Sequence, residues 1–272
     1  MKQKTALLTF DLEEFVAPKE HSIPCDEKEL FTISIDGLLA LLAVLQKNNV
    51  HATFFTTVTF AKDARVEKIL KQLLKDGQEV ALHGYDHMDI YAYMTQEEVR
   101  ENLKEAKNYL ERKFKIKIHG FRAPRLQNVS LSLLKNLGFF YEASLHPTLV
   151  PGHYNNFFAS RKIKEKEGIT QVPISVTPLL RAPLSWVWFR NFGISYMKIC
   201  TLLTFYDSDF VHLYFHPWDF YNFKKSDRKW QLPWFYFTNT DKSILMLDSY
   251  IAWLQKKNVT FKTIQEHLEG KK

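Results

Sequence analysis

Glu79-Val80-Ala81-Leu82-His83-Gly84-Tyr85-Asp86-His87 is the stretch on which the fold turns. Its apolar half reads as a short buried strand. It follows an amphipathic run over residues 66–75 that stops at Asp76-Gly77, a helix end marked by the residue that tolerates a left-handed backbone. A strand that ends in an imidazole carries it to the rim of a sheet, and the turn at Gly84 folds His87 back beside His83. Two imidazoles four residues apart can hold one divalent metal and need only a carboxylate to complete a facial set with positions left for water and substrate. The first strand-like segment, residues 5–10, supplies carboxylates, because it runs into Asp11-Leu12-Glu13-Glu14.

Outward from there, strand and helix patterns alternate. Residues 33–46 carry Ile35, Leu38, Leu39, Leu42 and Leu45 at helical spacing, and residues 52–57 are β-branched and aromatic, hence a strand. A helix over 95–114 opens with the capping box Thr95-Gln96-Glu97-Glu98, and 116–121 returns as a strand. Residues 130–136 read as a helix closed by Gly138, 139–143 as a strand, 170–176 and 210–215 as strands, and 196–204 and 242–256 as helices. Such alternation implies parallel strands joined by right-handed crossovers, in a doubly wound sheet or a closed barrel. Asp11, His83, Arg122 and His216 all end strands, and strand ends meeting at one mouth are how a barrel builds a site. The expectation is an α/β fold of the (β/α) barrel type.

With 272 residues, 46% of them hydrophobic, the chain can bury one large core, and no linker or repeat divides it, so a single domain over 1–272 is expected. Residues 151–168 look irregular and polar. The net charge of +7 would suit anionic partners. Basic and acidic residues are interleaved, however, as in Glu101-Asn102-Leu103-Lys104-Glu105, which is a solvated helix face, and no nucleic-acid partner is expected. Cys25 and Cys200 lack a partner motif, so neither a disulfide framework nor a thiolate site is indicated. The apolar stretch after Met1-Lys2-Gln3-Lys4 is short for a signal peptide and ends in acids, which predicts a cytoplasmic protein.

Aromatic residues crowd the second half. In the segment 178–205, Arg181, Arg190 and Lys198 alternate with Trp186, Trp188, Phe189, Phe192 and Tyr196, too interrupted for a membrane span. The leading reading is that the rings pack the core. The second is that rings and cations sit beside the cleft, recognise an anionic or lipid-linked glycan, and give peripheral membrane contact.

The motifs Thr9-Phe10-Asp11, His83-x-x-x-His87, Arg122-x-Pro124 and Phe215-His216 occur in the order found in the polysaccharide deacetylases, the carbohydrate esterases that share the NodB homology domain. Tyr141-Glu142-Ala143-Ser144 and Gln171-Val172-Pro173-Ile174-Ser175 resemble two further segments of that family. The resemblance implies a distorted (β/α) barrel of about seven parallel strands and metal-assisted hydrolysis of an N-acyl, usually N-acetyl, group on a sugar. By that resemblance Asp11 is the catalytic base, His83 and His87 bind the metal, Arg122 orients the base and His216 is the general acid. One divalent metal, with zinc the expected ion, is implied as cofactor, and an N-acylated glycan or a lipid-linked or nucleotide-linked sugar precursor as substrate.

The first motif departs from the commonest pattern of two adjacent aspartates, and is similar instead to an Asp-Val-Glu-Asp subset. Side chains two apart on an extended segment point the same way, so Glu13 is the expected third ligand and Glu14 the fallback. His212 is expected to be a hydrogen-bonded core histidine. Glu142 stands where the family has an aspartate, with a role at His216 or at the substrate left open, and His146, His153 and Trp218 are candidates for the groove wall. Two other functions stay in view: deformylation or cyclic-amide hydrolysis on the same fold, and a carbohydrate-binding or membrane-peripheral protein without turnover.

Overall fold

The computed structural model describes residues 3–225 and 230–270; Met1 and Lys2 lie outside the described residues. The strands are β1 (Thr5–Leu12), β2 (Thr53–Thr56), β3 (Glu79–Leu82), β4 (Gly120–Phe121), β5 (Tyr141–Glu142), β6 (Leu149–Val150), β7 (Tyr154–Asn155), β8 (Lys164–Lys166), β9 (Ile169–Gln171), β10 (Phe210–Phe215) and β11 (Thr260–Phe261). The helices are α1 (Ala17–Glu20), α2 (Glu27–Lys47), α3 (Val58–Ala61), α4 (Ala64–Lys75), α5 (Gln96–Phe114), α6 (Leu131–Asn136), α7 (Trp186–Thr204), α8 (Ser243–Lys256) and α9 (Ile264–Glu269).

β1 is buried along its whole length because it is flanked on both sides, by β10 and by β2. The order β10-β1-β2-β3-β4-β5-β9 is parallel throughout, which gives the expected path of seven parallel strands; β11 pairs parallel with the start of β1 as an eighth, and β8 adds antiparallel to the outer edge of β9. The sheet curls until its ends approach. Residues 172–176, just past β9, reach the backbone of β10 through two bonds: the Ser175 N–H donates to the His212 carbonyl at 2.9 Å, and the His212 N–H donates to Ser175 Oγ at 2.8 Å. Two bonds in place of a full ladder make the barrel a distorted one.

Helix starts follow the capping rules. Asp26, Asp63 and Ser130 each accept a backbone N–H at the N-termini of α2, α4 and α6, and the Thr95/Glu98 capping box opens α5. α2 is long and apolar enough by composition to cross a membrane. It nevertheless buries Leu30, Ile33, Leu38, Leu41 and Leu45 in the protein core. At Gly37 it meets the turn after β10 so closely that an added Cβ would sit 2.1 Å from the Pro217 carbonyl oxygen.

Several elements differ from the expectations. Only Gly120 and Phe121 of the 116–121 segment join the sheet, because Lys115 turns left-handed at the end of α5 (φ 55°) and the Ile118 N–H is taken by the Glu111 carboxylate at 3.0 Å. The 139–143 strand shortens to β5, and the 170–176 strand to β9 followed by the closing segment. α7 begins ten residues before the expected 196, at the run Trp186-Val187-Trp188-Phe189, and breaks at Gly193 (φ 78°), where the helical period restarts. The irregular 151–168 segment contains β7 and β8, each of two or three residues, below what periodicity resolves.

Candidate metal and acid–base centre

Asp11 and Glu13 leave the C-terminal end of β1 toward the same side, and both are buried, at 2% and 0% exposure. Arg122, directly after β4 and fully enclosed, donates from Nη1 to Asp11 Oδ1 at 2.6 Å, from Nη2 to Thr9 Oγ1 at 2.9 Å and from Nε to the Ala143 carbonyl at 3.0 Å. Its guanidinium also lies over the Phe55 ring at 4.2 Å. Held at so many points, the arginine fixes the carboxylate it pairs with. Burial alone would raise Asp11, but the opposing charge of Arg122, with His83 and His216, holds its carboxyl below the usual value.

His83 follows β3, and its Nδ1 bonds the Arg122 carbonyl at 2.9 Å. A carbonyl only accepts, so Nδ1 carries the proton and Nε2 is free as a ligand. His83 Nε2 lies 3.3 Å from Glu13 Oε2, and His87 Nε2 lies 3.4 Å from the same oxygen. Burial pushes the His83 imidazole down to about 4 and His87 well below its ordinary value, where His83 and Arg125 add to the effect, so both rings are neutral. Burial, reinforced by Asp11, Glu14 and Glu20, drives Glu13 well upward against a smaller opposing effect of the Trp218 indole, and among the described residues neither of its side-chain oxygens has a partner in hydrogen-bond geometry.

A sealed carboxylate without a donor, facing two neutral imidazole nitrogens, is costly as it stands and is satisfied by a cation. Ligand atoms of Glu13, His83 and His87 all lie within 4.8 Å of one another. The residues present therefore fit a divalent ion. Glu14, the alternative ligand, turns away to Lys19 at 3.0 Å.

Across Glu13 from the pair stands His216, at the end of β10, with Nε2 3.9 Å from Glu13 Oε1. Its Nδ1–H donates to Asp219 Oδ2 at 3.2 Å, and its backbone N–H donates to the same oxygen at 2.8 Å. Asp219 Oδ1 accepts from Arg190 Nη1 at 3.0 Å, and Arg190, fully buried, also donates to the carbonyls of Thr238, Phe235 and Tyr236. Trp218 stacks on the His216 ring with centroids 4.4 Å apart, and Trp186 meets that ring edge-on at 5.4 Å.

Asp11, Glu13, His83, His87, Arg122 and His216 are thus brought together. His212 is the buried core histidine anticipated, with Nδ1 on the Pro173 carbonyl at 3.1 Å and Nε2 accepting from Arg122 Nη2 at 2.8 Å. Glu142 does not reach His216. It accepts the Ser144 N–H at 2.8 Å and the Gln171 amide at 3.3 Å, bracing the loop after β5.

Trp186 and Phe189 are buried, as the leading reading of 178–205 has it, whereas Arg190 is buried too and is neither a solvated cation nor one that faces an anionic ligand. His153 is exposed in the β6–β7 turn, and His146 is buried with Nδ1 on the Tyr154 hydroxyl at 2.7 Å. Asp219 had no role in the sequence reading, and Arg190 had none at the acid–base centre. The signal was an aspartate three residues after a strand-ending histidine, a spacing that closes a turn onto the imidazole.

By architecture the chain falls in the class of deacetylase-type α/β barrels. Its family is shown by sequence: residues 1–141 match the family described as polysaccharide deacetylase, and the chain belongs to it. A Mycobacterium smegmatis protein that carries the name polysaccharide deacetylase has TM-score 0.68 and 18% identity, with 99% of this chain and 91% of that chain covered. A mutant, with restored enzymatic activity, of BA3943, a CE4 family pseudoenzyme, has TM-score 0.58 and 15% identity, covering 97% and 67%; the wild-type protein is from Bacillus anthracis. The Xyl-CE4 domain of a xylanase from the hindgut metagenome of Trinervitermes trinervoides has TM-score 0.56 and 16% identity, covering 99% and 92%. Comparison with curated proteins returned no match. At these identities the likeness is one of fold, and since the fold includes a pseudoenzyme, turnover must be argued from the site.

Proposed function

We propose that this protein is a metal-dependent hydrolase that removes an N-acyl group, N-acetyl in the first instance, from an aminosugar of a glycan or of a lipid-linked or nucleotide-linked glycan precursor. The observation that carries the reading is the sealed Glu13 carboxylate, without a hydrogen bond, between two neutral imidazoles and flanked by Asp11 and His216. A pseudoenzyme that kept only a sugar surface has no use for that costly group.

Glu13, His83 and His87 form the holding set, and imidazole with carboxylate makes zinc the expected ion. When bound, a divalent ion supplies Lewis-acid polarisation of the amide carbonyl and acidifies a water. Asp11, kept ionised by Arg122, takes the proton of the attacking water through Oδ2, the oxygen that Arg122 leaves free and that lies 3.8 Å from His83 Nε2. His216, with Nδ1 held by Asp219, presents Nε2 from the other side and delivers a proton to the departing amine. A cytoplasmic location belongs to the same proposal, supported by the unpaired Cys25 and Cys200, and cell fractionation tests it.

Metal analysis of the purified protein and of Glu13→Gln, joined to amine release from a panel of N-acetyl, N-formyl and cyclic-amide substrates, tests the reading. The expected result is about one divalent ion per chain, lost in the variant, with amine released fastest from N-acetylated sugars. Faster release from the formyl or cyclic substrates moves the activity to that class. Metal-loaded protein that turns over none of them sinks the hydrolase reading.

A further inference from the structure

The burial of Arg190, Trp186 and Phe189 leaves a different surface on this side of the molecule. Past the break at Gly193, the outer face of α7 carries Ile199, Leu202 and Leu203 at 59%, 49% and 49% exposure. Tyr206, just beyond the helix, is 90% exposed. Beside it the turn over residues 177–182 projects Leu179 and Leu180, 88% and 83% exposed. Leu179 and Arg181 are left-handed there, with φ of 57° and 54°. The turn is fastened along the helix at two points. Tyr196 donates its hydroxyl to the Pro183 carbonyl at 2.9 Å, and Arg161 joins the Val176 carbonyl to Asp207 beyond the helix end. Apolar side chains on a helix face and on an adjacent protruding tip are far more than a soluble surface needs.

Charge says what covers them. The chain has 30 acidic residues, yet none between Gly168 and Tyr206. The cations on this stretch that stay partly exposed are Arg181, whose guanidinium lies over the Phe157 ring at 5.9 Å, and Lys198, which lies over the Trp253 ring at 5.6 Å. An apolar face edged by cations, whose bordering Asp207 is paired with Arg161, complements an anionic lipid surface: leucines enter the acyl boundary and the cations remain among the headgroups. A protruding leucine pair inserts into a fluid phase, whereas a flat face is what a second copy would require.

We propose that the 177–182 turn and the outer face of α7 dock this protein on an anionic bilayer. α7 runs from Trp186, which packs on His216, to this face, so docking leaves the acid–base centre at the other end of the helix from the lipid plane. The inference is independent of catalysis, since binding is scored without turnover.

The test is co-sedimentation of the full chain with phosphatidylcholine vesicles, with and without phosphatidylglycerol, at low and high salt. Two variants accompany wild type: Leu179→Ser with Leu180→Ser, and Arg181→Gln with Lys198→Gln, both checked for an unchanged circular dichroism spectrum. Wild type is expected to pellet with the anionic vesicles at low salt, and each variant to bind about tenfold more weakly or less. The proposal is overturned if wild type stays in the supernatant, if both variants pellet like wild type, or if sedimentation velocity shows a dimer that the serine variant dissolves, which would assign the face to a second copy.

Discussion

His83 and His216 each spend one ring nitrogen on a fixed acceptor, and the other nitrogen is what the site has to work with. For His216 the acceptor is Asp219, whose second oxygen is held by Arg190. Asp219→Asn breaks this arrangement without changing volume, because its amide N–H2 must face either the Arg190 donors or the His216 Nδ1–H. Turnover is expected to fall by about 10² to 10⁴, the range for a misdirected general acid, with KM and metal content unchanged. Asp11→Asn and His216→Ala should fall in the same range, and a near-normal kcat in the Asp219 variant would reduce that residue to a structural brace. Leaving Arg190 without its buried counter-charge also costs stability, by about 3 kcal/mol, so the assay must run well below the variant's melting midpoint. These positions differ in how legible they were. Asp11, His83, Arg122 and His216 end strands, which are visible in a pattern of apolar runs followed by polar residues, and His87 is visible through its spacing of four from His83 across the Gly84 turn. Arg190 lies inside an aromatic run, where nothing in the sequence separates a solvated cation from one buried on a carboxylate 29 positions away.

At the scale of elements, strands of four or more residues with their own helices were legible, and β3 matches its expected bounds. β4, β5 and β9 were legible as strands but not in length, since their neighbours cut them to two or three residues, and β7, with two, has no local pattern that announces it. The contact of α2 with the turn that follows His216 was equally hidden, since it depends on a glycine. Gly37 has an ordinary helical role in sequence, but the turn at Pro217 lies where its Cβ would be. Gly37→Ala gains helix propensity and yet must push the turn or the helix away, at a cost of about 1 to 3 kcal/mol or more because backbone rather than a flexible side chain is in the way. Since Pro217 is joined to His216, kcat should drop along with the melting temperature. A variant as stable and as active as wild type would mean that α2 slides freely over this turn.

For the whole molecule, the end of the barrel opposite the metal centre carries its own half-buried carboxylate. Glu79, at the start of β3, accepts from Tyr141 of β5 and Thr53 of β2, each at 2.7 Å, and from the Gln265 N–H of α9 at 3.1 Å. Tyr141 reaches it because Gly120 has no Cβ, which would lie 2.0 Å from the Tyr141 ring. One acid thus ties together β2 and β5, which lie on either side of β3 in the sheet, and the C-terminal helix, far from the reaction. Burial raises the Glu79 carboxyl above its usual value, against the lowering effect of these donors. A carboxyl raised in the folded state contributes stability that is complete below the ordinary carboxylate range and is lost as pH climbs through the raised value. Glu79→Gln does not titrate, and its altered hydrogen bonds shift stability by a constant amount. Urea unfolding of both proteins between about pH 4 and 8 should therefore show the difference in unfolding free energy moving toward the variant as pH rises. Parallel profiles would mean that Glu79 titrates alike in the folded and unfolded chain, and that the donors from β2, β5 and α9 balance its burial.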